Sequence, residues 1–126
     1  MENNVEQLDY KEMKSIVYRS EPFLKVYTSG WDTLCEFAES ASEKVLFFLI
    51  RNLNSRNGYV YKTPKEIAEK TGCSRASVFK ALAKIQNMGI FVKCQTGAWM
   101  INPAYASFVD DIKRAMLMDV FINYSE

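Results

Sequence analysis

Thr63 to Met88, TPKEIAEKTGCSRASVFKALAKIQNM, constrains this chain more than any other stretch, because its spacing reads as two short helices joined by a tight turn. Ala68, Gly72 and Val78 fall where a helix-turn-helix needs a small residue, a turn former and a buried apolar residue. A larger side chain at Ala68 would push the two helix axes apart. Gly72 takes the positive φ that the turn demands at no steric cost. Pro64 suits the first turn of the first helix, and Ser74 offers a side-chain oxygen to the free N–H groups that open the second. The second helix then begins beside Arg75, with Ala76, Ser77 and Lys80 on its outer face, as a recognition helix entering a major groove requires.

The same pattern describes an ordinary αα-corner, so the flanking sequence matters. Ile90-Phe91-Val92-Lys93-Cys94 is a β-prone run, Gln95-Thr96-Gly97 supplies a turn, and Ala98-Trp99-Met100-Ile101 is a second β-prone run ended by Asn102-Pro103. A hairpin directly after the second helix is a wing. Gly58 precedes Tyr59-Val60-Tyr61-Lys62, a short strand able to pair with the hairpin and complete a three-stranded sheet. The expected fold class is mainly α with a small antiparallel sheet (α+β), a winged helix-turn-helix with an additional C-terminal helix.

Charge is distributed in keeping with that arrangement. The whole chain is +1, but residues 60–94 hold Lys62, Lys65, Lys70, Arg75, Lys80, Lys84 and Lys93 against Glu66 and Glu69, a local excess of +5. Both flanks are −2. Positive charge is concentrated where a phosphate backbone would lie, although solvated helix faces are also commonly lysine-rich.

Composition limits the chemistry. At 126 residues and 48% apolar content, the chain is long enough for one compact domain with an ordinary core. The polar start, MENNVEQLDYKEMK, and the lack of a long apolar run point to a cytoplasmic protein with no membrane contact. Cys35, Cys73 and Cys94 have no paired spacing and read as reduced, mostly buried thiols. There is no histidine, which removes Ser-His and Cys-His pairs, Cys/His zinc sites and an unperturbed general base near neutrality. Neither GxxxxGK[ST] nor GxGxxG occurs. The seven tyrosines, without the His-rich metal site of nicking initiators, read as packing residues. A binding protein without metal or cofactor is expected, not an enzyme.

The remaining sequence supplies scaffold. Phe23 to Tyr27 reads as a short strand, and Trp31, Leu34, Cys35 and Ala38 as one or two helical turns after Gly30. Ser40 and Glu43 form a capping-box signature ahead of an apolar helix carrying Val45, Leu46, Phe48, Leu49, Ile50 and Leu53 and closing near Asn57-Gly58. Its aromatics are expected in the core, with Ile67, Val78, Leu82 and Ile85 packed against it. From Ser107, read as a cap, a terminal helix carries two stripes. One is Val109, Ile112, Met116 and Val120; the other is Leu117, Phe121 and Tyr124. A two-fold dimer closed through Leu117, Phe121 and Tyr124 would use one stripe, whereas a broad face wrapped on its own domain would use both. The organisation expected is a polar extension over 1–20, the DNA-binding domain over 21–106 and a dimerisation helix over 107–126.

KVYTSGWDTL, followed by SASEKVLFFLIRNLNSRNGYVYKTPKEIAEKTGCSRASVFKALAKIQNMGIFVKCQTGAWMINPAYA, resembles the RepL family of plasmid replication proteins of Gram-positive Firmicutes. The resemblance covers about residues 23–106, and GAWMINPAY is its most specific part. It implies a plasmid-borne winged-helix protein acting in replication or its copy control, with host replication proteins as possible partners. A transcriptional repressor, a partition adaptor that binds centromere-like repeats, and a winged helix serving protein assembly without DNA remain alternatives.

The geometry expected of duplex binding assigns roles residue by residue. Arg75, Ser77 and Lys80 would face base edges, Arg75 giving a bidentate contact to guanine, while Ala76 and Phe79 meet thymine methyls. Thr63, Lys65, Ser74, Lys84 and Lys93 would hold phosphates, with Gln95 and Thr96 at a short, uncharged wing tip. A dimer would take repeats about one helical turn apart.

Overall fold

The computed structural model describes Lys11, Glu12, Lys14 and residues 22–38 and 43–126. Its elements run β1 (Lys25–Val26), α1 (Thr28–Ala38), α2 (Glu43–Arg51), β2 (Tyr59–Val60), α3 (Pro64–Thr71), α4 (Arg75–Asn87), β3 (Phe91–Gln95), β4 (Ala98–Ile101), β5 (Ala106–Ser107) and α5 (Asp111–Ser125). α3, the turn and α4 are the expected helix-turn-helix, and β3-β4 is the wing. β2 pairs with β4 antiparallel, in the spatial order β2-β4-β3, so the three-stranded sheet is complete. No described helix is long and apolar enough to cross a membrane.

Strand alternation divides the core in two. Val60, Phe91, Trp99 and Ile101 face α2, α3 and α4, and pack with Leu46, Leu49, Ile67, Val78, Leu82 and Ile85. Val92 and Met100, one residue out of phase, face the other way and pack under Phe121 of α5, with Tyr59, Cys94, Leu117 and Met118 around them. A sheet buried on both faces explains why β4 reads AWMI with no polar residue.

The terminal helix departs from expectation in two respects. Ser107 does not cap it; Ser107 is buried in β5, with its hydroxyl 3.0 Å from that of Tyr27, and Asp110 caps α5 instead by accepting from the Lys113 N–H at 2.9 Å. The chain first pairs β5 with β1 and only then turns into a helix. The two stripes also exchange roles. Phe121 is 6% exposed beneath the helix and Leu117 is half-buried beside it, so neither serves a dimer; Ile112 at 78% and Met116 at 64% face outward. Helical spacing marks both stripes equally, and the second sheet face selects the bulkier one.

Other expectations shift for similar reasons. α1 runs three turns instead of one or two, and it buries Gly30 and Phe37 while Trp31 and Cys35 point outward. Cys73 and Cys94 are half-buried, so none of the three thiols is fully buried. α2 stops at Arg51, short of Asn57-Gly58, because the Asn52 side chain donates to the Phe48 carbonyl at 2.8 Å. Asn54 and Asn57 then tie the following loop through bonds from the Arg56 and Tyr59 N–H groups. Phe47 is 59% exposed despite its helical apolar setting. β2 holds only Tyr59–Val60 of the four residues expected. The Ser40 cap lies outside the described residues, as does the 1–20 extension apart from Lys11, Glu12 and Lys14, which are helical.

The turn after β4 fastens these layers together. Asn102 is 7% exposed; its side chain donates to the Gly89 carbonyl and accepts from the Ala104 N–H, both at 2.9 Å, and its own N–H donates to Ile90 at 2.8 Å. The next residues reach outward. The Tyr105 carbonyl accepts from the Tyr27 N–H at 2.8 Å, and Arg114 of α5 donates to the Pro103 and Ala104 carbonyls at 2.7 and 3.1 Å while lying 3.5 Å over the Tyr27 ring. Gly30 packs so tightly against this turn that a Cβ would overlap the Tyr105 carbonyl.

Asn102→Ala leaves the part-buried Gly89 carbonyl and Ala104 N–H without their partner, and it should cost ~1–3 kcal/mol. Gly30→Ala should cost ~1–3 kcal/mol by overpacking. Urea unfolding followed by circular dichroism checks both. A loss under ~0.5 kcal/mol for Asn102→Ala would show that the turn does not hold the layers.

Candidate nucleic-acid interface

The face opposite the core of α4 is the natural place for a ligand, since the helix buries only Val78, Ala81, Leu82 and Ile85. Arg75, Ala76, Ser77, Phe79 and Lys80 are all exposed. At 100° per residue, Ala76 and Lys80 share the outermost ridge with Ala83 and Asn87. Ala83 and Asn87 escaped the sequence reading, which stopped at the helix's first turns, although helical spacing alone could have found them. Arg75 and Phe79 lie on the wing side of that ridge. Ser77 is drawn into the cap: the Ser74 hydroxyl accepts from the Ser77 N–H at 3.1 Å and donates to the Ser77 hydroxyl at 2.9 Å. Ser77 and Ser74 therefore order the start of the helix before either can touch DNA.

The first helix of the motif is anchored by local chemistry. Thr63 accepts from the Glu66 N–H at 3.2 Å, and Glu66 accepts from the Thr63 N–H at 2.9 Å, a complete capping box with Pro64 in the first turn. Those bonds from the Thr63 backbone and side chain hold the Glu66 carboxyl below its ordinary pKa. A carboxylate thus stands where the sequence placed a phosphate anchor at Thr63. It was missed because a cap residue and a ligand residue look alike in sequence. Gly72 closes the helix at φ +76°, its N–H donating to the Ala68 carbonyl at 3.0 Å.

The wing meets this helix edge-on. Its turn is so close that a Cβ at Gly97 would lie 3.4 Å from Thr63 Cγ2. Lys93 of β3 is joined to the recognition helix by its N–H, which donates to Gln86 Oε1 at 3.2 Å. Phe79, Gln86, Lys93, Thr96 and Trp99 consequently line one groove of about 230 Å³ between helix and wing, with Pro64 at its end. Lys65 is exposed in the first turn of α3, and Gln95 is exposed at the wing tip. Lys84 stands apart, on the other flank of α4, with its ammonium 5.9 Å from the Phe37 ring centroid. The structure therefore gathers Phe79, Lys93 and Thr96 at one groove with Arg75 on the same side of α4, places Lys80 on the outermost ridge and leaves Lys84 at the far edge.

Of Leu117, Phe121 and Tyr124, expected at a dimer interface, Phe121 and Leu117 pack behind the wing, while Tyr124 stays 43% exposed. Tyr59 is hydrogen-bonded to Tyr124, and burial, followed by that bond, raises its phenol pKa well above the usual range. Burial also raises the Cys94 thiol.

Helix, turn, recognition helix and two-stranded wing in this order define a winged helix-turn-helix protein. The chain belongs to the RepL family of Firmicute plasmid replication proteins, whose sequence profile matches residues 3–126. That span takes in both the polar start and the terminal helix, beyond the 23–106 that the motifs suggested. Similar relatives include replication and maintenance proteins of Bacillus subtilis and Staphylococcus aureus. Each is 29% identical over 104 residues, which is 82% of this chain and 70% and 65% of theirs. The matched region thus spans about two thirds of those relatives. Among solved structures, the reduced (FeII) CO-sensing protein from R. rubrum aligns with 66% of this chain and 37% of its own, at 20% identity and a TM-score of 0.47.

One measurement tests the role of Glu66. A lowered folded pKa means that its contribution to stability is complete above the ordinary glutamate range and is lost as pH falls through the lowered value. Glu66→Gln should flatten that acid limb in thermal melts between pH 2 and 6, and an unchanged limb would show that the capping box does not hold the carboxylate.

Proposed function

We propose that this protein binds duplex DNA of its plasmid in a sequence-specific manner, as a homodimer on a repeated site, to initiate replication or control copy number. The carrying observation is that α4 exposes Arg75 and Lys80 on its outer side beside a wing carrying Lys93 and Thr96, within a segment of charge +5. α4 lies in the major groove, where Arg75 reads guanine and the Ala76, Lys80, Ala83 and Asn87 ridge follows the base edges. Lys65 and Lys93 hold the phosphate strand that passes between helix and wing, and Lys84 reaches the opposite strand. The names of the relatives, replication and maintenance proteins, favour replication over transcriptional control.

The dimer uses the outer stripe of α5, Ile112, Met116 and Val120, because the inner stripe is already spent on the sheet. Joining two reading heads makes the second contact intramolecular and raises affinity for a repeat without any new base contact.

Arg75→Ala should cost ~1–3 kcal/mol and relax preference at one base pair, and the salt slope should approach −0.9 per phosphate held. Binding of selected duplexes by wild type and variant, measured by fluorescence anisotropy, decides this reading; equal affinities for every sequence would sink it.

Met116→Glu should convert dimers to monomers in sedimentation runs at tens of micromolar while leaving the fold intact. Phe121→Glu should instead destabilise the domain, by ~3 kcal/mol or more from the unpaired buried charge. A monomeric wild type would remove the dimer and leave the DNA assignment standing.

A further inference from the structure

Duplex binding leaves one feature of the recognition face unused. Phe79 is 54% exposed on an otherwise polar helix surface, yet it lines the groove between helix and wing as well as facing outward. Leu82, Ala83, Pro64 and Trp99 complete the apolar walls, while Gln86, Lys93 and Thr96 form a polar, positively charged rim. Trp99 is 5% exposed, and its indole N–H is buried with no hydrogen-bond partner, which is uncommon for a buried tryptophan. At about 230 Å³ the groove has room for one planar heterocycle.

We propose that this groove takes an unstacked base of single-stranded DNA, so that one face of the domain reads the duplex and also holds a strand once it is opened. In a duplex, base faces are stacked on their neighbours, and the one apolar group presented in the major groove, the thymine methyl, is too small to fill the slot. A separated strand offers a flat apolar face for Phe79 to stack on, and a phosphate one bond system away for Lys93. Cationic rim and aromatic wall together select a base attached to an anionic backbone over a neutral apolar ligand. No carboxylate lines the groove, and Glu66, next to its Pro64 end, is held by the Thr63 cap. This inference rests on the assignment of the α4 face to DNA.

A Trp31→Phe background makes Trp99 the sole tryptophan, so quenching by a short oligo(dT) reports on the groove of the full chain. The oligonucleotide should quench Trp99 with a salt slope near −0.7 per phosphate. Phe79→Ala should lower oligo(dT) affinity by about 10-fold more than it lowers duplex affinity, and Phe79→Tyr, which keeps a stacking face, should restore it. Duplex binding without any oligo(dT) binding overturns the groove and leaves the duplex reading intact. Equal losses for both ligands in Phe79→Ala, or no recovery in Phe79→Tyr, likewise overturn it. Failure to bind either DNA form removes the duplex assignment and the groove together.

Discussion

The bonds made by Asn102 at the base of the wing fix the geometry on which the rest of the domain depends. Its amide ties the end of β4 to Gly89, the residue that turns the chain out of the recognition helix. In an apolar surrounding such bonds are stronger than in water, and leaving either partner unpaired is correspondingly costly. The wing cannot swing relative to α4 without breaking them. The same turn then reaches the start of the described chain through Tyr27 and the end of it through Arg114. This gives physical content to the sequence NPAY: Asn102 holds Gly89, Pro103 and Ala104 hold Arg114 of α5, and Tyr105 holds Tyr27.

α5 converts a half-covered sheet into a fully covered one. With Phe121 on Val92 and Met100, the wing strands are gripped from behind while α4 holds them from the front. Tyr59, Cys94 and Tyr124 extend that grip along the wing strand and past its midpoint. A rigid wing matters because its tip is only Thr96-Gly97 and carries no charge. Such a wing contributes by forming the wall of a groove, with Lys93 set back on the strand.

Local signals located most of the caps and turns, although Ser107, which has the chemistry of a cap, is held in β5 instead. Gly72 at positive φ, the Ser74 cap, Pro64 in the first turn and the hairpin after α4 all depend on neighbours within four residues. Apolar stripes were less legible. Trp31, Phe47, Ile112 and Met116 have the spacing of core residues and are exposed, since spacing names a face but not its partner. The signal overlooked was in β4: its unbroken apolar run means that both sheet faces need covering, and it foretold an internal role for Phe121.

The sequence by itself determined that a helix-turn-helix with a short wing exists here, where its helices begin, and where positive charge gathers. It did so because caps, turns and net charge are properties of short segments. Only the tertiary structure decided which side of α5 is buried, that Ser77 and Thr63 are spent on capping, that Lys84 lies away from the wing, and that Phe79 and Trp99 share a groove. Those outcomes depend on distances between residues far apart in the chain, and they are set by which apolar surfaces can close on one another.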